Sequence, residues 1–258
     1  MANPLSRTVM VTGSSRGLGL EIVRQLAVAD NPPKVIIATC RNPDKATELQ
    51  ALARDHQQIK VIKFDVVDYK SLPSVVEEVK AAVGSLGLNL LVNNAGIMEK
   101  CSTQMFGVPL QDLEPQMFRN VLETNTIAPL MLIKALLPQL RVAAAATSGP
   151  AGAPRAMVVN ISSIMASMGT FLDRHGIYAY RSSKTALNMV TKILAEDPEM
   201  KGLLFVAIHP GWVRTDMGTT VAPLRAEDSV SQMLRVVANI NEKQNGVLLN
   251  YDGSVLPW

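Results

Sequence analysis

Tyr180 and Lys184 stand four residues apart in the run Tyr178-Ala179-Tyr180-Arg181-Ser182-Ser183-Lys184. On a helix that spacing sets both side chains on one face, roughly 5–6 Å apart at Cβ. An ammonium at that range favours the phenolate, so the Tyr180 pKa is expected to fall from its reference of about 10. A tyrosine tuned this way gives or takes a proton near neutral pH. The same spacing also occurs between mere surface neighbours, so its meaning depends on what the chain places around it.

Gly13, Gly17 and Gly19 form a second suggestive group. They follow the β-branched run Arg7 to Thr12 and precede the helical pattern Leu20 to Leu26, giving strand, glycine turn and helix. Glycines there let the backbone turn tightly against a pyrophosphate, whose charge is favoured at the helix N-terminus. The spacing is Gly-x-x-x-Gly-x-Gly rather than Gly-x-Gly-x-x-Gly. The second strand should end at the adenosine ribose, where an acidic residue would bind the 2′-hydroxyl of NAD. The chain has Thr39-Cys40-Arg41 there, and Arg16 lies in the glycine turn. Two guanidinium groups and no carboxylate suit a 2′-phosphate, which favours NADPH over NADH.

These groups must be held by a regular frame. Apolar strands are expected at Arg7–Thr12, Val35–Thr39, Lys60–Phe64, Asn89–Val92, Met157–Ile161, Leu203–Ile208 and Val247–Asn250. Helices are expected at Pro43–Arg54, from a Ser71 cap to Val83, over Pro115–Leu140 with a kink at Pro129, through Tyr180 to Glu196, and over Glu227–Asn239. Ala143 to Pro154 reads as an exposed loop. Strands alternate with helices, and the strands are continuous apolar runs. Both features predict an α/β fold, one Rossmann-type doubly wound domain over residues 1–258, with about seven parallel strands and helices on both faces. Ligands of such sheets bind beyond the carboxyl ends of the strands, where the strand order reverses. Every suggestive stretch here follows a strand.

Composition sets the bounds. Of 258 residues, 48% are hydrophobic and 18% charged, enough apolar side chains for a large core. The net charge of +3 is too small to argue for nucleic acid or an anionic membrane. Two cysteines, Cys40 and Cys101, form neither a disulfide framework nor a metal cluster. No signal-peptide pattern is seen, and the apolar passage Ala128–Leu140 is short and broken by Pro129, Lys134 and Pro138. A cytoplasmic protein acting on a small molecule, without a membrane or nucleic-acid partner, is the expectation.

The order Thr12-Gly13-x-x-x-Gly17-x-Gly19, Asn93-Asn94-Ala95-Gly96, Asn125, Ser163, Tyr180-x-x-x-Lys184 and Pro210-Gly211 resembles the short-chain dehydrogenase/reductases across essentially the whole chain. His209-Pro210-Gly211-Trp212-Val213-Arg214-Thr215-Asp216-Met217 and the ending through Trp258 look like the sniffer-type carbonyl reductases and their C-factor-like relatives. The resemblance implies Tyr180 as general acid, Lys184 as the group that lowers its pKa and holds the nicotinamide ribose, Ser163 on the substrate oxygen, and Asn125 holding a water of the proton relay. It selects Ser163, with Ser162 in reserve; Tyr178, followed four residues later by Ser182 and not a lysine, reads as a packing or pocket-lining residue. For the cofactor it implies Gly13, Ser15, Arg16, Gly17, Leu18, Gly19 and Arg41, then Asp65 and Val66 at adenine. Asn93, Ala95 and Gly96 would pass the ribose and nicotinamide, and Pro210, Gly211, Val213 and Thr215 would hold the carboxamide. No metal is implied. A helix or turn cap is the competing role for Asp65, and His209 reads as structural.

Met98, Met165, Met168, Phe171, Trp212 and Met217 are candidate pocket residues, suiting hydrophobic ketones, aldehydes or quinones. The leading expectation is an NADPH-dependent carbonyl reductase. The alternatives are a hydroxysteroid or alcohol dehydrogenase working in oxidation, and a silent NADP-binding sensor. The resemblance also implies a homo-oligomer, dimer or tetramer, paired through the long helices.

Overall fold

The computed structural model describes residues 5, 7–100, 105–146, 152, 155–170 and 176–258. Cys101, most of the loop expected before Pro154, and the candidate Phe171 lie outside them. Seven parallel strands form one sheet in the order β3-β2-β1-β4-β5-β6-β7. They are β1 (Thr8–Thr12), β2 (Val35–Cys40), β3 (Ile59–Lys63), β4 (Leu90–Asn93), β5 (Met157–Ile161), β6 (Leu204–His209) and β7 (Leu248–Asn250). The order reverses between β1 and β4, so the two strands diverge into helices on opposite faces and leave a crevice at their carboxyl ends.

Alternate residues of each strand face opposite layers. Val9, Val11, Ile36, Ala38, Val92 and Val206 meet α1 (Gly17–Ala27) and α7 (Ala226–Asn239). Met10, Ile37, Leu91, Val158 and Phe205 meet α3 (Leu72–Val83) and α5 (Ala128–Ala145). Both faces are covered, which is why the central strands read as unbroken apolar runs. Strand β3 differs: it lies at one edge and exposes Lys60 and Lys63. Charged side chains on an edge discourage pairing with another chain.

Several expected boundaries shift. The helix over Pro43–Arg54 is a 3₁₀ turn followed by α2 (Thr47–Asp55). Ser71 does not cap α3 through its side chain; its hydroxyl donates to the Asp68 carbonyl instead, at 2.9 Å. The long helix breaks at a π-turn, Glu123–Ile127, between α4 (Pro115–Leu122) and α5, rather than kinking at Pro129. Pro129 lies in the first turn of α5, directly after the π-turn. The whole helical stretch Pro115–Ala145 has the length and composition to cross a bilayer. Its Leu132, Ile133, Leu136 and Leu140 are instead packed beneath the sheet.

Candidate active site

The helix α6 (Tyr178–Glu196) carries Tyr180 and Lys184 on the face it buries, beside the end of β5. Both side chains are buried, and the Lys184 ammonium sits 5.9 Å from the centre of the Tyr180 ring. Lys184 Nζ donates to the Ile161 carbonyl at 2.7 Å, which fixes it under the strand end. Ser163, two residues beyond Ile161, faces the Tyr180 phenol closely enough to pull its pKa down, and accepts the Met165 N–H at 3.1 Å. Ser162 points elsewhere and donates to Asn188 Oδ1 at 2.6 Å. Neighbours on an extended chain take opposite faces, so only one of the two serines can reach the tyrosine.

The electrostatics differ from the spacing argument. Burial pushes the Tyr180 phenol up to about 12; the Ser163 hydrogen bond pulls it down and the charge of Glu99 pushes it further up. Burial also pushes Lys184 down to about 8. The expected fall in the Tyr180 pKa is therefore not what this site produces: removing a hydroxyl from water disfavours its anion more than the lysine at this distance favours it. Tyr180 is a protonated phenol at neutral pH.

Asn125 lies in the π-turn, where the widened backbone turns its carboxamide toward the loop after β4. Its Oδ1 accepts the Ile97 N–H at 2.9 Å, and its Nδ2 donates to the Ile97 carbonyl at 2.8 Å and to Ser183 Oγ at 3.0 Å. A Cβ built on Gly96 would stand 3.2 Å from Asn125 Oδ1 and 3.6 Å from Lys184 Nζ. The absent side chain keeps the space between these two groups open.

The glycine turn fits a dinucleotide's pyrophosphate. Gly13 and Gly17 have φ of +69° and +57°, and a Cβ on Gly19 would lie 2.3 Å from the Gly13 carbonyl oxygen. Asn94 locks the turn, donating through Nδ2 to the Thr12 and Gly13 carbonyls at 2.8 and 3.3 Å. Thr12 Oγ1 accepts the backbone N–H groups of Asn94 and Ala95, both at 3.0 Å. Arg16 and Arg41 are both exposed at the rim, and Arg16 pairs with Asp216 at 3.1 Å. Ser15 and Leu18 are half-buried, and Leu18 reaches the cleft beside Tyr180.

The other expected cofactor residues divide. Val66 and Ala95 line a narrow crevice with Thr12 and Asn93. The Asn93 side chain is committed to the sheet interior, donating to Asn160 Oδ1 at 2.8 Å, which leaves only its backbone for a ligand. Asp65 accepts the Val67 N–H at 3.3 Å, the turn-cap role that competed with adenine contact. Pro210, Gly211, Val213 and Thr215 line the cleft. Gly211 has φ of +81°, and a Cβ there would strike Leu224 and the Tyr251 ring.

The cleft at Tyr180 offers about 160 Å³. Met98, Met165, Trp212 and Met217 line it as expected from sequence, joined by Phe106, whose ring meets Trp212 edge-on at 6.2 Å. Met168 does not: it is 73% exposed. Tyr178, 38% exposed at the start of α6, is not in the lining, which leaves the packing role of the two expected for it. His209 lines the cleft at the end of β6, and burial holds its imidazole neutral by pushing it down to about 4. Sequence reasoning passed over Glu99, Asn94 and Phe106. Asn94 was the discoverable one, since it stands inside the quoted Asn93-Asn94-Ala95-Gly96 motif.

A phenol, a serine hydroxyl and an ammonium thus converge beside a glycine cradle on one sheet edge. Comparison with known proteins gives the same placement. The family model for short chain dehydrogenases matches residues 7–225. Among solved structures, the carbonyl reductase Sniffer of D. melanogaster superposes with a TM-score of 0.93 at 40% identity, over 98% of this chain and 100% of that one. An NADPH-bound carbonyl reductase from chicken fatty liver gives 0.90 at 38% identity, over 98% and 99%. The C-signal protein of Myxococcus xanthus is 36% identical over 171 residues, 66% of this chain and 93% of its own length. Family model, fold and site geometry agree: the chain belongs to the short-chain dehydrogenase family of oxidoreductases.

Proposed function

We propose that this chain is an NADPH-dependent carbonyl reductase that converts hydrophobic ketones, aldehydes or quinones to alcohols. The observation that carries the reading is that Tyr180 and Ser163 line one apolar cleft, with the Lys184 ammonium 5.9 Å from the Tyr180 ring, beside the glycine turn. Bound NADPH would supply the hydride. The residues then divide the remaining work. Ser163 and Tyr180 direct their hydroxyls at the substrate oxygen, where negative charge develops as the carbonyl is reduced. Tyr180 gives up its proton to that oxygen, and the phenolate left behind is stabilised by Ser163 and the Lys184 ammonium. Asn125, tied to the loop after β4, holds a water of the proton relay in the space that Gly96 leaves open beside Lys184. Met98, Met165, Phe106 and Trp212 exclude bulk water and favour an apolar substrate.

Arg16 and Arg41, with no acid at the end of β2, support the 2′-phosphate. The chicken relative is described as NADPH-bound, which supports the same choice. The exposed Met117, Ile127, Met189 and Ile193 on α4, the π-turn and α6 support self-association through these helices. NADPH consumption over a panel of quinones, aldehydes, ketones and sugars is the test. Tyr180→Phe should cost at least about 10² in rate. An unchanged rate removes Tyr180 as the acid, and a preference for charged sugars removes the substrate class.

A further inference from the structure

The proton donor stands third in its helix, in the turn that frays most readily. The residue before α6, Ile177, offers no capping side chain, and the first turn contains no acidic residue. The N–H groups of that turn still need acceptors. A residue 80 positions earlier supplies them. Glu99, on the loop after β4, accepts the Ala179 N–H at 2.7 Å and the Tyr180 N–H at 2.9 Å, one with each carboxylate oxygen. It is 4% exposed, although glutamate is almost never so buried without partners. The helix N-terminus also attracts its charge.

The loop that presents Glu99 is itself held. Two residues earlier, both backbone groups of Ile97 are bonded by Asn125. Between them Met98 lines the substrate cleft. The π-turn in turn grips α6, since Thr126 Oγ1 donates to the Ser183 carbonyl at 2.8 Å and Asn125 Nδ2 donates to Ser183 Oγ. Residues 97–99 therefore stitch three elements together at the reacting centre. Other charges nearby are directed elsewhere: Lys184 to Ile161, Lys100 to the Asp216 carbonyl, and Arg181 toward Met165.

We propose that Glu99 is a positioning residue of the reaction, whose buried carboxylate pins the first turn of α6, and with it the Tyr180 hydroxyl, to the loop after β4. Only a carboxylate presents two acceptor oxygens to two N–H groups; a glutamine turns an NH2 group toward one of them. The charge of Glu99 also favours the protonated form of Tyr180, the form a donor needs.

The proposal rests on the reductase reading of the site, and two readouts separate them. The first is amide hydrogen exchange at Ala179 and Tyr180 without cofactor. Exchange should quicken at least about tenfold in Glu99→Gln as the turn opens locally. The second is steady-state kinetics with a quinone. Glu99→Gln should lose at least about tenfold in kcat, with KM and NADPH affinity within about twofold, since displacement at the reacting atoms and not binding is at stake. Glu99→Asp keeps both acceptors on a shorter arm and should recover part of that loss. Wild-type exchange and kcat in Glu99→Gln overturn the assignment. If the glutamine variant does not fold, Glu99→Asp decides: faster exchange at the two amides supports the pin, and wild-type exchange overturns it. A wild-type protein inactive on every carbonyl compound defeats the reductase reading alone, because the exchange result stands without turnover.

Discussion

The two ends of the cleft are built on opposite plans. Beyond β1 to β3 the chain offers exposed charge: Arg41, and Arg16 in a solvent-exposed pair with Asp216. Beyond β4 to β6 it offers buried groups, each held by at least one partner: Lys184 by Ile161, Asn125 by Ile97 and Ser183, and the Tyr180 backbone by Glu99. Exposed charges in high dielectric contribute modest, salt-dependent energies. Buried ones gain more and cost more to disturb. The division suits the work proposed for each end: the first has to choose between two cofactors, and the second has to stabilise a transition state.

If that contrast is real, damage should grow with burial. Ser163→Ala removes a buried donor at the reacting oxygen and should cost about 10² in kcat. The double variant with Tyr180→Phe should be little worse than the worse single one, since the two hydroxyls act as a unit. Full additivity would show that they act separately.

Lys184 gives a readout in stability. Its folded pKa of about 8 lies below the ordinary 10.5, so the folded state binds fewer protons than the unfolded chain between those values. Stability without cofactor should climb with pH through that window, by on the order of 1–3 kcal/mol. Tyr180, raised from 10 to about 12, works against folding only above about pH 10, where its unfolded form loses the proton first. Thermal unfolding from pH 7 to 10 should show the rise in the wild type and not in Lys184→Met. Equal curves would show that Lys184 is not desolvated.

On the exposed side, Arg41→Ala should weaken NADPH about tenfold and NADH hardly at all, measured by fluorescence titration at low and high salt. Equal weakening of both would move the 2′-phosphate elsewhere. Asp216→Asn should change least. It breaks an ion pair whose side chains are 72% and 70% exposed, so stability should move by less than about 1 kcal/mol. NADPH affinity should rise slightly, because Arg16 loses a competitor.

The same contrast explains what the sequence revealed. Short-range patterns were legible: the apolar strands, the turn around Gly13, Gly17 and Gly19, and a tyrosine and a lysine one helical turn apart. Spacing reports proximity, however, and not burial, so it misjudged the direction of the Tyr180 pKa. It could not show that the Asn93 side chain turns inward to Asn160, because the partner lies 67 residues away. Glu99 was silent for the same reason. Nothing around it marks a cap, since the amides it serves belong to a helix that starts in another part of the chain. The π-turn left no signature either, because Glu123 to Ile127 differ from an ordinary helix only in the bonds their backbone makes.

That π-turn makes the length of the chain between α4 and α5 as consequential as its residue types. An α-helix advances about 100° per residue. Deleting one residue from Glu123–Ile127 and restoring regular winding would swing the Asn125 carboxamide away from Ile97, and Thr126 away from Ser183, without removing either side chain. Homologues aligned by residue identity alone could carry this asparagine and still aim it into the wrong part of the molecule.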